Sequence, residues 1–162
     1  IVWLRNLAAH VHRECCGPGV GAVGMCWTGG FALAMMVDEA VVAPVLSQPS
    51  LPLPLTGRHK ADLGLSPDER ARVAERAEAG VCVVGLRFTA DPVVPAQRFD
   101  ALSDLLGDNF VGVEIDSSPG NPHGIARASH SVLTEHLVDE EGHPTRDALE
   151  QVLDFFGERL GA

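Results

Sequence analysis

One segment limits the fold of this chain more than any other: an apolar run, a glycine-rich turn and an apolar helical pattern, in that order. The run covers residues 20–23, the turn reads GMCWTGG over residues 24–30, and the helical pattern covers residues 31–37. A buried strand followed at once by a sharp turn and a helix is typical of proteins with a parallel sheet. The glycines leave room for Cys26, at the apex, to adopt a strained backbone close to its neighbours.

Strand-like and helix-like segments alternate along the rest of the chain. The clearest helix start is Ser66-Pro67-Asp68-Glu69, because serine caps a helix, proline suits its first position and the glutamate closes a capping box. The last helix is predicted to begin at a Thr145 cap. Predicted strands lie at about 19–25, 40–46, 81–88 and 110–115, and the other predicted helices at about 1–14, 27–38, 66–79 and 95–106. The expected buried face of the last helix consists of Leu149, Val152, Leu153 and Phe156. The alternation predicts an α/β fold, a single domain over residues 1–162 with a mostly parallel sheet and helices on both faces.

Charge and hydropathy argue against two classes of partner. With 22 acidic and 12 basic residues the net charge is −10, which repels phosphate backbones, so no nucleic-acid binding is expected. No apolar run approaches the roughly 18 residues that span a bilayer, so no membrane association is expected. The four cysteines include the adjacent Cys15 and Cys16, which cannot easily pair with each other. This pattern indicates a reduced, cytoplasmic protein.

Two motifs suggest other ligands and are rejected on their context. Residues 19–24 match the dinucleotide pattern G-x-G-x-x-G, but they lie inside a predicted strand instead of between a strand and a helix. His12, Cys15 and Cys16 share one helix face, but a fourth ligand at suitable spacing is missing, so no metal site is expected.

The turn at residues 24–30 has the form of a nucleophile elbow with cysteine at its apex. The N–H groups and the positive end of the following helix favour a thiolate at Cys26. The backbone N–H of Trp27 is then a candidate oxyanion-hole donor. The simpler interpretation is a buried cysteine in a tight turn, since free cysteines are among the most buried residues.

Further catalytic candidates follow later strands, at the edge of the sheet where the chemistry of parallel sheets gathers. A nucleophilic cysteine needs a base, and the base needs a carboxylate that orients it. Asp91 follows the strand at 81–88, although it is also a natural turn former before proline. Two of the histidines that follow the last strand are candidates for the base. We choose His123, in a short turn of proline, glycine and asparagine, and keep His130 as the alternative.

Together these segments resemble the dienelactone hydrolase family of the α/β-hydrolase superfamily. The resemblance covers nearly the whole chain and rests on the cysteine elbow, the acid motif Asp91-Pro92-Val93-Val94-Pro95 and the histidine loop Pro119-Gly120-Asn121-Pro122-His123-Gly124. It implies a hydrolase that cleaves a small-molecule ester or lactone through a Cys-His-Asp triad and an acyl-enzyme. It also implies that neither a metal nor an organic cofactor is required.

The chain also departs from the family. Thr28 stands where the family usually has glycine, and the N-terminal strands, which supply a second oxyanion donor, are absent. We therefore expect a domain that is incomplete at its N-terminus, with the elbow strand at a sheet edge open to oligomerisation. Arg58, beside His59 and Lys60, offers positive charge to an anionic substrate or forms a solvated basic turn. The departures motivate an alternative function, a catalytically impaired scaffold that binds a ligand or a protein partner.

Overall fold

The computed structural model describes residues 1–161, which form a parallel sheet of four strands surrounded by helices. The strands lie side by side in chain order: β1 (Val20–Met25), β2 (Val41–Ser47), β3 (Val83–Phe88) and β4 (Phe110–Ile115). The helices are α1 (Val2–Cys15), α2 (Gly29–Met35), α3 (Gly57–Lys60), α4 (Pro67–Glu78), α5 (Ala96–Leu106) and α6 (Pro144–Leu160). The predicted α/β fold is confirmed. Among the helices of the described residues, none combines the length and apolarity needed to cross a membrane.

The helices cover both faces of the sheet, and each face has its own apolar core. Because the strands follow one another in order, right-handed connections put α2, α4 and α5 on the same face. There they pack with α1 in a core that includes Leu33, Val73 and Leu102. Helix α6 covers the opposite face, where Phe155 shares a core with Leu86 of β3. The helices on both faces expected from the sequence are therefore present.

Helix α4 begins as the sequence predicts. The Ser66 hydroxyl accepts the Glu69 N–H at 3.3 Å, and the Glu69 carboxylate accepts the Ser66 N–H at 3.0 Å. These two bonds satisfy two of the donors that every helix start leaves unpaired.

The start and the buried face of α6 differ from the prediction. His143 caps the helix, since its Nδ1 accepts the Thr145 N–H at 3.3 Å, and Thr145 itself lies inside the first turn. The fully buried positions of α6 are Thr145, Ala148, Val152 and Phe155. Leu153 is 58% exposed. The hydrophobic face is thus rotated by about one residue from the predicted one. The prediction missed this rotation because Leu149, Leu153 and Phe156 made the centre of the face ambiguous in the sequence.

Strand β1 lies at an edge of the sheet, as the sequence predicts. Within the described residues it pairs with β2 alone, in parallel register from Val20 opposite Val41 to Met25 opposite Ser47. Its Val23 side chain is 44% exposed, in contrast to the fully buried residues of β3. Because β1 and β2 are parallel, the end of β1 and the turn that follows it lie at the carboxyl edge of the sheet. Oligomerisation through this edge stays a prediction.

Candidate active site

Cys26 occupies the sharp turn directly after β1, in a backbone conformation that is rare for a residue with a side chain. Its φ angle is +54°, in the left-handed region. The Thr28 hydroxyl closes the turn, since it accepts the Met25 N–H at 3.1 Å and donates to the Met25 carbonyl at 2.8 Å. Such a strained residue costs about 1–3 kcal/mol and persists only where its surroundings fix it. Thr28, at a position where the family usually has glycine, therefore stabilises the turn.

Two glycines allow other backbone segments to approach the turn closely. A Cβ at Gly24 would overlap the backbone of Thr28 and Gly29. A Cβ at Gly29 would overlap Pro49, in the loop that follows β2. Neither overlap can be relieved by moving a flexible side chain, because the nearest atoms belong to backbone or to proline. The turn is therefore packed against the loop after β2.

The structure joins Asp91 to His130, the alternative histidine of the sequence analysis. His130 Nδ1 lies 2.5 Å from Asp91 Oδ2, and the Asp91 side chain is almost completely buried. The second carboxylate oxygen, Oδ1, accepts the Val93 N–H at 3.0 Å. With both oxygens engaged, the carboxylate can hold the imidazole in one orientation and in the tautomer protonated at Nδ1.

The turn that carries Asp91 is itself held from two sides. Arg87, buried at the end of β3, donates to the Val94 carbonyl at 2.9 Å and pairs with Glu114 of β4. On the other side, the Ser117 hydroxyl accepts the Ala90 N–H at 3.1 Å. Buried charge-assisted hydrogen bonds of this kind fix local geometry as well as adding stability.

The loop that carries His130 is fixed by a side chain of its own, His136, and by Gln48 from the loop after β2. His136 Nδ1 accepts the Ser131 N–H at 3.2 Å. Gln48, in the loop after β2, is fully buried, and its side-chain oxygen accepts the Val132 N–H at 3.3 Å. His136 is itself half-buried, because its ring packs edge-on against Phe88.

Cys26, His130 and Asp91 form one connected array, and Ser50 is its fourth member. The Ser50 hydroxyl lies 3.6 Å from Cys26 Sγ and 3.4 Å from His130 Nε2. Its backbone N–H also donates to the Cys26 carbonyl at 3.0 Å. The imidazole therefore faces the carboxylate with one nitrogen and the cysteine side with the other.

The surroundings of Cys26 lower the pKa of its thiol. Burial raises that pKa, but the effect is outweighed by hydrogen bonds from His130 and Ser50, by the charge of His130 and by the Trp27 backbone N–H. The sequence attributed a thiolate to the following helix. Helix α2 is shorter than predicted, with seven residues that begin after a 3₁₀ turn, Cys26–Thr28. The groups that lower the pKa here are His130, Ser50 and the Trp27 backbone N–H.

The same contacts raise the pKa of the His130 imidazole. Burial lowers it, but the hydrogen bonds to Cys26 and Asp91 and the negative charges of both partners outweigh burial. Opposite shifts in a contacting pair favour transfer of the thiol proton to the imidazole. The array can therefore hold a thiolate beside an imidazolium, the arrangement that makes a cysteine nucleophilic near neutral pH.

Two other residues proposed from the sequence lie apart from this array. His123 is exposed, and its ring packs edge-on against His143 with 5.3 Å between the ring centroids. Arg58 lies on the exposed short helix α3, and none of the hydrogen bonds or ion pairs found in residues 1–161 joins it to Cys26 or His130. The geometry thus reverses the order of preference between the two histidines.

Ser50 and Gln48 are the site residues that sequence reasoning missed. Both follow β2 at the same sheet edge as Cys26, Asp91 and His130, and this position was the available signal. Neither belongs to a nucleophile, base or acid motif. Both side chains are about 1% exposed, which the sequence does not predict for polar residues in a loop.

The loop after β2 is attached to the body of the protein by one buried arginine. Arg98 of α5 donates to the carbonyls of Pro49 at 2.8 Å, His59 at 3.0 Å and Asp62 at 3.2 Å, and also to Pro52. Between this loop and α2 lies a cavity of about 160 Å³, to which Trp27, beside Cys26, and Leu51, beside Ser50, contribute. The cavity is mostly apolar, and Cys26, Ser50 and His130 are not among its lining residues.

No group of three or more histidine, cysteine, aspartate or glutamate side chains in residues 1–161 is placed to hold a metal ion.

In the comparisons with known proteins, the family model described as "Dienelactone hydrolase family" matches residues 4–160. Searches of curated proteins and of solved structures gave no match.

Proposed function

Because the chain belongs to the dienelactone hydrolase family, a family of hydrolases with an α/β fold, we propose that it cleaves a small ester or lactone. In this proposal Cys26 is the nucleophile, His130 the general base and acid, and Asp91 the group that orients the imidazole. The observation that carries the proposal is the connected array: His130 lies 2.5 Å from a buried carboxylate, and the Ser50 hydroxyl, 3.4 Å from His130 Nε2 and 3.6 Å from Cys26 Sγ, links it to the cysteine.

The first half of the reaction forms an acyl-enzyme. The Cys26 thiolate attacks the carbonyl carbon, and the carbonyl electron pair moves onto oxygen. The Trp27 N–H, one of the groups that lower the pKa of the thiol, is a candidate donor to that oxyanion. One such donor is worth about 2.7–4 kcal/mol in other oxyanion holes. When the tetrahedral intermediate collapses, the leaving alkoxide takes the proton from His130 Nε2, and a thioester remains on Cys26.

The second half releases the acid product. His130, now neutral at Nε2, takes a proton from water, and the resulting hydroxide attacks the thioester carbonyl. Expulsion of the Cys26 thiolate yields the acid and restores the starting ion pair. Asp91 keeps the Nδ1 proton in place through both halves, so Nε2 always faces the reacting atoms.

A cavity of about 160 Å³ has Trp27, the residue after Cys26, in its lining, and we infer that it takes a small apolar group of the substrate. Its lining is apolar apart from Glu69, which is already bonded to Arg5 and Ser66. We therefore choose short aliphatic and aryl esters as test substrates, with a five-membered lactone as the cyclic case.

The test compares the purified full chain with four variants on a small aryl ester. Cys26→Ala and His130→Ala should each lower kcat/KM by at least about a thousandfold, since each removes a reacting group. Cys82→Ala is the matched control for loss of a half-buried free cysteine, and His123→Ala is the control for the other histidine. Both controls should retain wild-type kcat/KM. Equal rates for wild type and Cys26→Ala would refute the proposal and favour the scaffold that binds without turnover.

A further inference from the structure

The Ser50 hydroxyl contacts both side chains that react in the proposed mechanism. A serine with a purely structural role would not need these contacts. It lies 3.6 Å from Cys26 Sγ and 3.4 Å from His130 Nε2, and it is about 1% exposed. A buried serine in a loop usually needs only one backbone partner, and Ser50 already has one in the Gln48 carbonyl at 3.0 Å. The two further contacts require another explanation.

The position of the hydroxyl is imposed by the fold from two directions. The Ser50 N–H donates to the Cys26 carbonyl at 3.0 Å, so the serine moves with the strained turn. Gln48, two residues earlier, has a positive φ of 39° and binds the Val132 N–H in the histidine loop. The short segment from Gln48 to Ser50 thus ties the cysteine turn to the histidine loop and places its hydroxyl between them.

A hydroxyl has one proton to donate and can accept other hydrogen bonds. Beside a neutral thiol, the Ser50 proton is best given to the Gln48 carbonyl, the nearer acceptor. When the thiol proton has moved to His130 Nε2, the sulfur carries a full negative charge and becomes the stronger acceptor. The hydroxyl can then donate to the sulfur while its oxygen accepts the Nε2–H of the imidazolium.

We propose that Ser50 is a further catalytic residue, whose hydroxyl bridges the Cys26 thiolate and the His130 imidazolium and stabilises that ion pair. The inference rests on the proposed function, because it assigns a role within the same site. In the step that forms the pair, the thiol proton ends on Nε2 and its electron pair stays on sulfur. Ser50 keeps its own proton and is unchanged at the end. It is too buried to act as a second nucleophile.

The experiment measures the thiol directly and so does not depend on turnover. In a background with alanine at Cys15, Cys16 and Cys82, the rate of iodoacetamide alkylation reports Cys26 alone and is followed from pH 4 to 10. Ser50→Ala removes the donor to the thiolate, so the alkylation profile should move to higher pH. A charge-assisted hydrogen bond of typical strength predicts an alkylation rate about tenfold lower at a pH below the wild-type inflection. In the unmodified background, kcat/KM of the same variant should fall by about tenfold or more.

The matched control removes a buried hydroxyl that lies outside the site. Thr145 is fully buried, and its hydroxyl binds the Val138 N–H at 3.0 Å near the start of α6. Thr145→Ala should lower stability without moving the alkylation profile. Ser50→Gly provides a second variant without the hydroxyl and without added atoms, and is interpreted in the same way if Ser50→Ala does not fold.

The outcomes separate this inference from the proposed function. If Ser50→Ala and Ser50→Gly lose stability but keep the wild-type alkylation profile, Ser50 is only structural and the inference is overturned. If the profile moves while wild type and Cys26→Ala hydrolyse esters equally, the bridge to the thiolate is supported and the hydrolase proposal alone fails. A moved profile together with a lower Cys26-dependent kcat/KM supports both.

Discussion

Replacing Asp91 by asparagine tests whether the carboxylate sets the tautomer of His130. Both carboxylate oxygens accept hydrogen bonds, Oδ1 from the Val93 N–H at 3.0 Å and Oδ2 from His130 Nδ1 at 2.5 Å. Asparagine has only one oxygen to offer. If that oxygen faces Val93, the amide NH₂ faces Nδ1 and favours the imidazole tautomer protonated at Nε2. If the amide oxygen faces the imidazole, the amide NH₂ faces the Val93 N–H. Both of these groups are donors, so the Val93 N–H is left without an acceptor in a buried site.

The expected loss of kcat/KM in Asp91→Asn follows from the hydrogen bond that each orientation of the amide removes. A hydrogen bond to a charged group contributes about 1.5–3 kcal/mol, and each 1.36 kcal/mol is a factor of ten in rate. Loss of the bond between His130 and the carboxylate therefore predicts a decrease of about 10- to 150-fold in kcat/KM. A fully reversed tautomer would deepen the loss to about 10⁴-fold, the value for the corresponding substitution in a serine-protease triad.

The pH dependence of Asp91→Asn has a definite sign. The negative charge of Asp91 helps to raise the pKa of His130, so removing it lowers that pKa. An imidazole with a lower pKa is less often protonated and therefore stabilises the thiolate less. The pKa of the Cys26 thiol consequently rises. The interval of pH in which thiolate and imidazolium coexist consequently narrows from both ends, and the profile of kcat/KM should narrow with it.

Asp116→Asn serves as the control for this experiment. Asp116 follows β4 at the same sheet edge, but its carboxylate bonds the Ser118 N–H at 2.8 Å and lies near Thr89. This substitution should leave kcat/KM within about twofold of wild type, as expected for a surface site away from the reacting groups. Wild-type kcat/KM together with an unchanged pH profile in Asp91→Asn would refute the role assigned to the carboxylate.

Two further predictions concern the loop after β2 and are tested by urea unfolding. Gly29→Ala puts a Cβ into the backbone of Pro49 and should lower the free energy of unfolding by about 1–3 kcal/mol. In the control Gly30→Ala the new Cβ meets only ordinary contacts, so the free energy of unfolding should stay the same or rise by up to about 1 kcal/mol. Equal stability of the two variants would contradict the close approach. Arg98→Met leaves several loop carbonyls without a donor and should lower the free energy of unfolding by about 2–4 kcal/mol. The control Arg72→Met removes a surface ion pair and should lower it by less than about 1 kcal/mol. A loss in Arg98→Met no larger than in Arg72→Met would show that Arg98 does not hold the loop.

Strong local signals predicted most of the fold. The apolar strand at 110–115 coincides with β4, and the capping box at Ser66 marks the start of α4 correctly. Local signals are weaker where two side chains compete for one role. At the start of α6, both His143 and Thr145 can accept a backbone N–H, and tertiary packing that buries Thr145 decides in favour of the histidine.

The choice between His123 and His130 shows why sequence alone could not complete the site. Both histidines follow β4, so the rule that places chemistry at the carboxyl ends of parallel strands applies to both equally. The decision depends on the path of the loop, which is fixed by a bond from His136 within the loop and by a bond from Gln48, 84 residues before Val132. Such long-range constraints leave no periodic pattern in the sequence.

The strain at Cys26 and the burial of Ser50 are two aspects of one arrangement. A left-handed cysteine costs about 1–3 kcal/mol unless other contacts offset it. Here the Thr28 hydroxyl closes the turn and the Ser50 N–H binds the Cys26 carbonyl. The contact that holds the strained backbone therefore also brings the Ser50 hydroxyl to the sulfur. Because of this coupling, a change that relaxes the turn also changes the titration of the thiol, and the two effects can be separated only by variants that keep the backbone and remove the hydroxyl.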